Sequence, residues 1–486
     1  MLPLYSSFQT VHFDHLIKDL RRKMPRLLLI NPSNIHKGLG NIRETAWPPL
    51  NLPYLAAVTP HHYQISVLDE NIEPFEYREA DIVGITAYTS SASRAYQIAQ
   101  MYRKRGITVV MGGIHVSMMP KEALQFCDAV IIGEAETIWP KVLEDFEADK
   151  LQKQYKGSWI SLENLPLPRR DILQNSYYQW GTIQTSRGCP MNCTFCSVTA
   201  FNGRRFRRRP LDPVIEELEQ IPQKRVMLAD DNIIGYGKKD LEWTHAFFSR
   251  ILEKGIKKIF FAQASIIFGE DRELVRLAAK AGLKIVFTGL ESINPRTLRS
   301  YRKGINLERL DHDGYKELIT RIRKEGIAFY GAFMLGSDED DHSVFHSTLE
   351  FIKSSHIDVL QVTKPTPLPG TQLWKTMEKQ GRILNQSFPK AWDDYRLTKL
   401  VFKPALISIE DVYKEITYLR SVYYSFWETV KRIFSTLFTT KSLITTLIAS
   451  KFDASYRKAF RNSEHYHLYR RTIKKNKFKF FHPQHK

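Results

Sequence analysis

The chain has 486 residues, 43% of them hydrophobic and 25% charged, a globular composition too long for one ordinary core and pointing to about three domains. Lys and Arg outnumber Asp and Glu by 71 to 52, a net charge of +19, which fits an anionic cofactor, a nucleic acid or a membrane surface. Four cysteines, three of them crowded into one short loop, exclude a disulfide scaffold and fit a reducing, cytoplasmic compartment.

Residues 1–25 lack the basic start, long apolar centre and cleavage site of a secretory signal and read as a short helical leader. From Arg26, the apolar runs RLLLINP, HYQISVLDE, ADIVGITAYTS, GITVVMGG and DAVIIGEAE alternate with segments of helical spacing such as SRAYQIAQMYRKRG. The expectation is a doubly wound, Rossmann-like α/β domain over residues 26–150. Such sheets bind ligands beyond the carboxyl ends of their strands, so Asn31 and residues 86–90, 112–115 and 133–136 should converge on one crevice. Gly112 and Gly113 either let backbone approach a bulky ligand or make a tight strand-to-helix turn. His115 reads equally as a contact or as a satisfied loop histidine, and Cys127, on an apolar stretch, as a core thiol.

Residues 151–178 form a linker whose LENLPLPRRDIL favours extended backbone. A second series over residues 179–370 has strand candidates GTIQTS, RVMLADD, KIFFAQAS, KIVFTGLES, AFYGAFMLGS and DVLQVTKP, with helical patterns between most of them. Six such units predict a partial or complete β/α barrel of the TIM type, with function at the carboxyl ends of its strands. The first strand leads into TSRGCPMNCTFC, where Cys189, Cys193 and Cys196 have the spacing C-x₃-C-x₂-C. Three thiolates on one loop hold three corners of a [4Fe–4S] cluster and leave the fourth iron open to a small molecule. A structural zinc site would need a second ligand pair, which the sequence lacks. The basic run RRFRRRP follows directly. Other strand ends are also polar: Asp230 to Asn232, Gln263 and Ser265, then Gly289, Glu291 and Ser292. They fit a barrel mouth collectively and helix caps or solvated loops individually.

Residues 371–486 read as a helical, basic carboxyl-terminal extension, in which Ile409, Val412, Ile416 and Leu419 form a core stripe. Residues 433–450 are apolar, but Lys441 and many Ser and Thr argue against a bilayer span and for a packed or interfacial helix. The tail beyond Tyr456 has no nucleic-acid reading motif and reads as a solvated or membrane-surface segment.

The cysteine loop, with GLES at residues 289–292 and GAFMLGSDED at 331–340, resembles the radical S-adenosylmethionine enzymes. In that superfamily S-adenosylmethionine chelates the open iron, and one electron from the cluster cleaves it to a 5′-deoxyadenosyl radical. The resemblance implies that Phe195 lies near the adenine, that Gln263, Glu291 and Ser292 contact S-adenosylmethionine, and that Gly331 to Gly336 form an adenine segment. LLLINP, WPPLNLPYLAAV, DIVGITAYTS, VVMGGIHVSMMPKEAL and VIIGEAE resemble the cobalamin-binding domain of one large branch of these enzymes. Thr86, Thr89, Gly112, Gly113, His115, Gly133 and Glu134 are then the implied cobalamin contacts. Cobalamin proteins with a histidine ligand carry D-x-H-x-x-G after the first strand; here the segment reads NIHKGL around His36, so backbone and fold would hold the corrin instead.

CSVTAFNGRRFRRRP, LADDNIIG, FAQASI, GLESIN, PTPLPGTQL and QGRIL resemble, more narrowly, the cobalamin radical enzymes that include the hopanoid C-2 methylase. The implied function is methylation of an unactivated carbon, of a small molecule or a lipid or terpenoid. The implied cofactors are a [4Fe–4S] cluster, S-adenosylmethionine and methylcobalamin, and the implied electron donor is a flavodoxin or ferredoxin. A non-methylating rearrangement, ring contraction or oxidation uses the same cofactors, and a non-catalytic sensor or scaffold is the alternative of another class. Nucleic acid is not an expected partner, whereas the basic tail leaves open attachment to the inner face of the cell membrane.

Overall fold

The computed structural model describes residues 24–34, 47–310, 314–463 and 465–468; residues 1–23 of the leader, His36 and residues 469–486 of the tail lie outside them. The first sheet contains β1 (Arg26–Asn31), β2 (Gln64–Asp69), β3 (Ile82–Thr86), β4 (Thr108–Gly112), β5 (Ala129–Ile132) and β6 (Gln154–Lys156). All pair in parallel in the order β2-β1-β3-β4-β5-β6. Central β1 and β3 are apolar on both faces because helices cover both, whereas edge strand β2 is largely unburied until its end. Strand β6 falls inside the expected linker. Its three residues bury only Tyr155, whose hydroxyl donates to Asp145 at 2.9 Å, too short a pattern to register as a strand in sequence. Cys127 is a core thiol, 1% exposed.

The second sheet runs β7 (Gly181–Ile183), β10 (Arg225–Leu228), β11 (Ile259–Gln263), β12 (Leu283–Glu291), β13 (Ala328–Met334) and β14 (Val359–Thr363). Its strands are parallel, adjacent in chain order, with β7 and β14 as unpaired edges: a partial barrel of six strands. The expected first strand GTIQTS breaks after Ile183. Asp230, buried at the end of β10, accepts hydrogen bonds from the Thr185 amide (3.1 Å) and hydroxyl (2.8 Å) and from the Ser186 hydroxyl. This draws the chain out of the sheet into β8 (Ser186–Gly188), antiparallel to β9 (Phe206–Arg208), and the cysteine loop and helix α1 (Ser197–Asn202) lie between the two.

Three helices end the described chain: α2 (Ile409–Tyr423), α3 (Phe426–Thr440) and α4 (Leu443–Arg461). Val412, Ile416 and Leu419 of α2 are buried as the stripe requires. The apolar stretch 433–450 is divided between α3 and α4 at Lys441, whose φ of +50° ends α3, while the Ser442 hydroxyl caps α4 by accepting the Thr445 amide at 3.2 Å. Helix α4 fills the concave face of the partial barrel: Ala449 and Phe452 pack on Met227, Phe261, Ile285 and Val359, with the Phe261 and Phe452 rings stacked at 5.7 Å. Among the described residues no helix is long and apolar enough to cross a membrane.

Candidate active site

The carboxyl ends of both sheets face one cavity of about 950 Å³, at the upper end of the roughly 300–1,000 Å³ usual for small-molecule sites. Asn31, Thr86, Thr89, Gly112, Gly113, Gly133 and Glu134 line it from the first sheet, and Thr182, Gln184, Arg187, Asp231 and Gln361 from the second. Gly113 has φ +99°, and a Cβ there would sit 2.9 Å from the Ala87 backbone. A Cβ on Gly112 would meet only Ile131, at 3.8 Å, so here bare backbone borders the cavity. Several buried polar atoms of wall residues have no hydrogen-bond partner: Trp47 Nε1, Thr182 Oγ1, Tyr395 OH and Arg396 Nε. Such atoms are costly unless a ligand or water meets them.

His115 is not on that wall. Its ring is sealed between the Thr89 hydroxyl (3.3 Å), the Tyr96 hydroxyl (3.2 Å) and Glu122 (3.4 Å), with Trp392 5.0 Å away. Trp392 Nε1 donates to Glu122 at 2.9 Å, so this knot fastens the first domain to the segment after the barrel. Burial pushes the Glu122 carboxyl up, but the bonds from His115, Tyr96 and Trp392 outweigh it and hold the group below its ordinary range. The Glu134 carboxylate also serves the domain junction, accepting from Arg207 at 2.8 Å and from the Ile160 amide at 2.8 Å, with Arg187 3.4 Å away. Two further arginines of the basic run turn inward: Arg209 pairs with Glu217, and Arg208 lies 4.4 Å over the Trp243 ring, whereas Arg204 and Arg205 are exposed.

The cysteine loop adjoins the cavity, whose wall includes Gly188 and Ser197 on either side of it. The Cys196 amide donates to the Cys193 carbonyl at 3.2 Å. Thr194 is stapled by its amide to the Tyr301 carbonyl (3.2 Å) and by its carbonyl to the Leu373 amide (2.8 Å). Burial pushes the Cys193 thiol up to about 11, against the pull of Lys303, and also raises Cys196. Free thiolates are therefore disfavoured, and bound iron would supply the positive charge that holds them ionised. A [4Fe–4S] cube takes its thiolates at separate corners, which three cysteines on one short loop can supply.

Phe195 presents its ring to Tyr301 at 5.1 Å. Glu291 stands at a register break in β12 with φ +65°, its carboxylate 3.1 Å from Lys303 Nζ. Burial would strip the Lys303 proton, but Glu291 and the nearby thiols outweigh it and raise its pKa. Gln263 ends β11, its carbonyl accepting from Ile233 at 2.9 Å. None of the six expected S-adenosylmethionine contacts lines the cavity itself, and the other three have close protein neighbours. Ser292 is fully buried and its hydroxyl accepts the Asn294 amide at 3.0 Å, a local turn. The bare Cα of Gly331 makes room for Ile357, and that of Gly336 for Val412 of α2. Sequence reasoning passed over Tyr236, whose hydroxyl is 3.0 Å from Cys189 Sγ, and Lys303. Neither sits in a recognisable pattern; the flanking Gly235 and Gly237 were the available sign that Tyr236 occupies a tight turn.

The Radical SAM superfamily model matches residues 183–352, and the B12 binding domain model matches residues 37–143. The chain is 32% identical over 437 residues to a bacteriochlorophyllide d C-8(2)-methyltransferase of Chlorobaculum tepidum, covering 84% of this chain and 92% of that protein. It belongs to the cobalamin-dependent radical S-adenosylmethionine enzymes. The hopanoid C-2 methylase of Rhodopseudomonas palustris is a further relative of this radical enzyme, at 25% identity over 72% of this chain and 68% of that one. The enzyme shares its fold with OxsB, a cobalamin-dependent S-adenosylmethionine radical enzyme solved with aqua-cobalamin and S-adenosylmethionine bound, at a TM-score of 0.66 and 14% identity over 95% of this chain and 76% of that one. Its cofactors are accordingly a [4Fe–4S] cluster, S-adenosylmethionine and cobalamin. The residues present fit them: three thiols on one loop for the cluster, and a large cavity floored by bare glycine backbone for the corrin.

Proposed function

We propose that this enzyme transfers a methyl group to an unactivated carbon of a large, mainly apolar small molecule of lipid, terpenoid or tetrapyrrole type. The observation that carries the reading is the cavity shared by the carboxyl ends of the two sheets, which lets groups held by each domain meet. The cluster and S-adenosylmethionine supply a carbon-centred radical and cobalamin supplies the methyl group. Cys189, Cys193 and Cys196 hold the cluster, the Tyr236 hydroxyl bonds to the Cys189 sulfur, and the Glu291–Lys303 pair fixes charge beside the loop. Gly112 admits the corrin against backbone, Gly113 and Gly133 allow the tight turns that bring the loops to the cavity, and the partnerless Thr182, Tyr395 and Arg396 atoms are available to ligands.

The relatives bear on the substrate: one is named for bacteriochlorophyllide d and one for hopanoids, both bulky polycyclic molecules. A flavodoxin or ferredoxin delivers the electron, and the protein attaches peripherally to the inner face of a membrane. The test is mass spectrometry of product made with S-adenosylmethionine carrying a deuterated methyl, offered bacteriochlorophyllide d and a hopanoid in parallel. Gain of one labelled methyl is expected; a changed product without label would replace methyl transfer by rearrangement or oxidation.

A further inference from the structure

Helix α3 is inside out. Its inward stripe is polar, with Thr429, Arg432, Thr436 and Thr440 all buried. Most of these groups find partners: Arg432 pairs with Asp453 at 2.9 Å and donates to the Tyr423 carbonyl, the Thr436 hydroxyl donates to Asp358 at 2.6 Å, and the Thr440 hydroxyl donates to the Thr436 carbonyl at 2.7 Å. Phe426, Trp427, Phe434 and Phe438 face outward at 68, 71, 54 and 72% exposure. The first turns of α4 repeat the inversion. Thr445 and Thr446 are buried while Leu443, Ile444 and Leu447 are more than half exposed. Eight of the eighteen large apolar side chains exposed among the described residues fall between Phe426 and Leu447, so this is one patch and not scattered surface.

Charge selects what covers it. Lys431, Lys441 and Lys451 are exposed on the same hairpin, where Glu428 is the one acid between residues 426 and 451. A second copy of the chain, meeting the patch through a two-fold axis, would set these cations against their own kind. An anionic bilayer offers acyl chains to the aromatics and phosphates to the lysines. Neither helix is both long and apolar enough to span, so the hairpin lies in the interface.

We propose that the α3–α4 hairpin is the membrane-docking face of the enzyme, seated in the headgroup region of an anionic bilayer. The inference rests on the peripheral attachment read above, and is independent of methyl transfer. The hairpin turn sits at the amino ends of β13 and β14, where the Thr445 hydroxyl donates to the Gly326 carbonyl, so the docked enzyme holds its cavity on the pole away from the bilayer.

The test is flotation of the reconstituted full-length protein with phosphatidylglycerol–phosphatidylcholine vesicles and with pure phosphatidylcholine vesicles. Floating with the anionic vesicles is expected, with release at high salt. The combined variant Phe434→Ser, Phe438→Ser, Leu447→Ser should lose binding by about tenfold or more, while keeping its circular dichroism spectrum and 5′-deoxyadenosine formation in solution. The variant Lys431→Gln, Lys441→Gln, Lys451→Gln should bind anionic vesicles more weakly. Wild-type protein that stays with the unbound fraction overturns membrane attachment altogether; a serine variant that floats as well as wild type overturns the hairpin alone. A dimer in light scattering that the serine variant abolishes, without vesicle binding, assigns the face to a second copy instead. Label transfer from deuterated S-adenosylmethionine, measured separately, tests methyl transfer without reference to any of these outcomes.

Discussion

At the carboxyl ends of the first sheet stand Gly112, Gly113 and Gly133 beside threonine hydroxyls, whereas the second sheet ends on Asp230, Asp231 and Glu291 and on the cysteine loop. Both sheets are parallel and both follow the rule that ligands gather at strand ends, yet they solve different recognition problems. Bare backbone suits a bulky group that must be approached closely and held by shape. Buried ionisable side chains suit small charged groups and metal, because each charge has a partner placed for it: Lys303 for Glu291, Arg208 and the Thr185 and Ser186 hydroxyls for Asp230. One cavity between two such walls can hold a large cofactor and a radical source together.

Substitutions in the two domains should therefore fail differently. The largest effect is expected for Cys193→Ala, which should abolish both the brown absorbance of the cluster and S-adenosylmethionine cleavage while leaving cobalamin bound; cleavage that survives would remove the loop from the radical chemistry. His115→Ala should cost about 2–3 kcal/mol of stability through the loss of buried contacts to Thr89, Tyr96 and Glu122, read as a lowered denaturation midpoint. The visible spectrum of bound cobalamin should not change, since the ring faces away from the cavity; a spectral shift would make His115 a ligand after all. Gly113→Ala, strained by φ +99° and a close Ala87 backbone, should lower stability by about 1–3 kcal/mol and reduce cobalamin retention on gel filtration, leaving the cluster spectrum intact.

The smallest effect belongs to Asp231. Though open to the cavity, it is ringed by protein, and that burial pushes its carboxyl up to about 6 from the ordinary 3.8. The folded state then binds more protons than the unfolded one between those values, so stability falls as pH rises from about 4 to about 6. Asp231→Asn should flatten this fall, by less than about 1 kcal/mol because water in the cavity screens the charge. The Gly188 amide, 3.1 Å from the carboxylate, keeps an acceptor in the asparagine. Melting curves across that window would show it, and an unchanged slope would mean that another group titrates there.

The amino-acid sequence by itself determined the two series of strands, the carboxyl-end crevice and the cysteine spacing. These are local properties: continuous apolar runs, turn residues after them, and three thiols on one short loop. Strand β6 escaped because only Tyr155 of its three residues is buried, and the break after Ile183 because its cause, Asp230, lies far along the chain. The tertiary structure alone decided which polar residues face ligand and which hold the protein together. His115, Ser292 and the carboxylate of Glu134 read as site residues by position, but their polar atoms are consumed by Tyr96, Asn294 and Arg207. It alone turned the apolar stretch near the carboxyl end into a divided hairpin with its aromatics outside, because the interior against which α3 packs offers Asp358 and Asp453 and so selects threonine and arginine. Which face of a helix is buried depends on what it meets, and that partner is set by contacts distant in sequence.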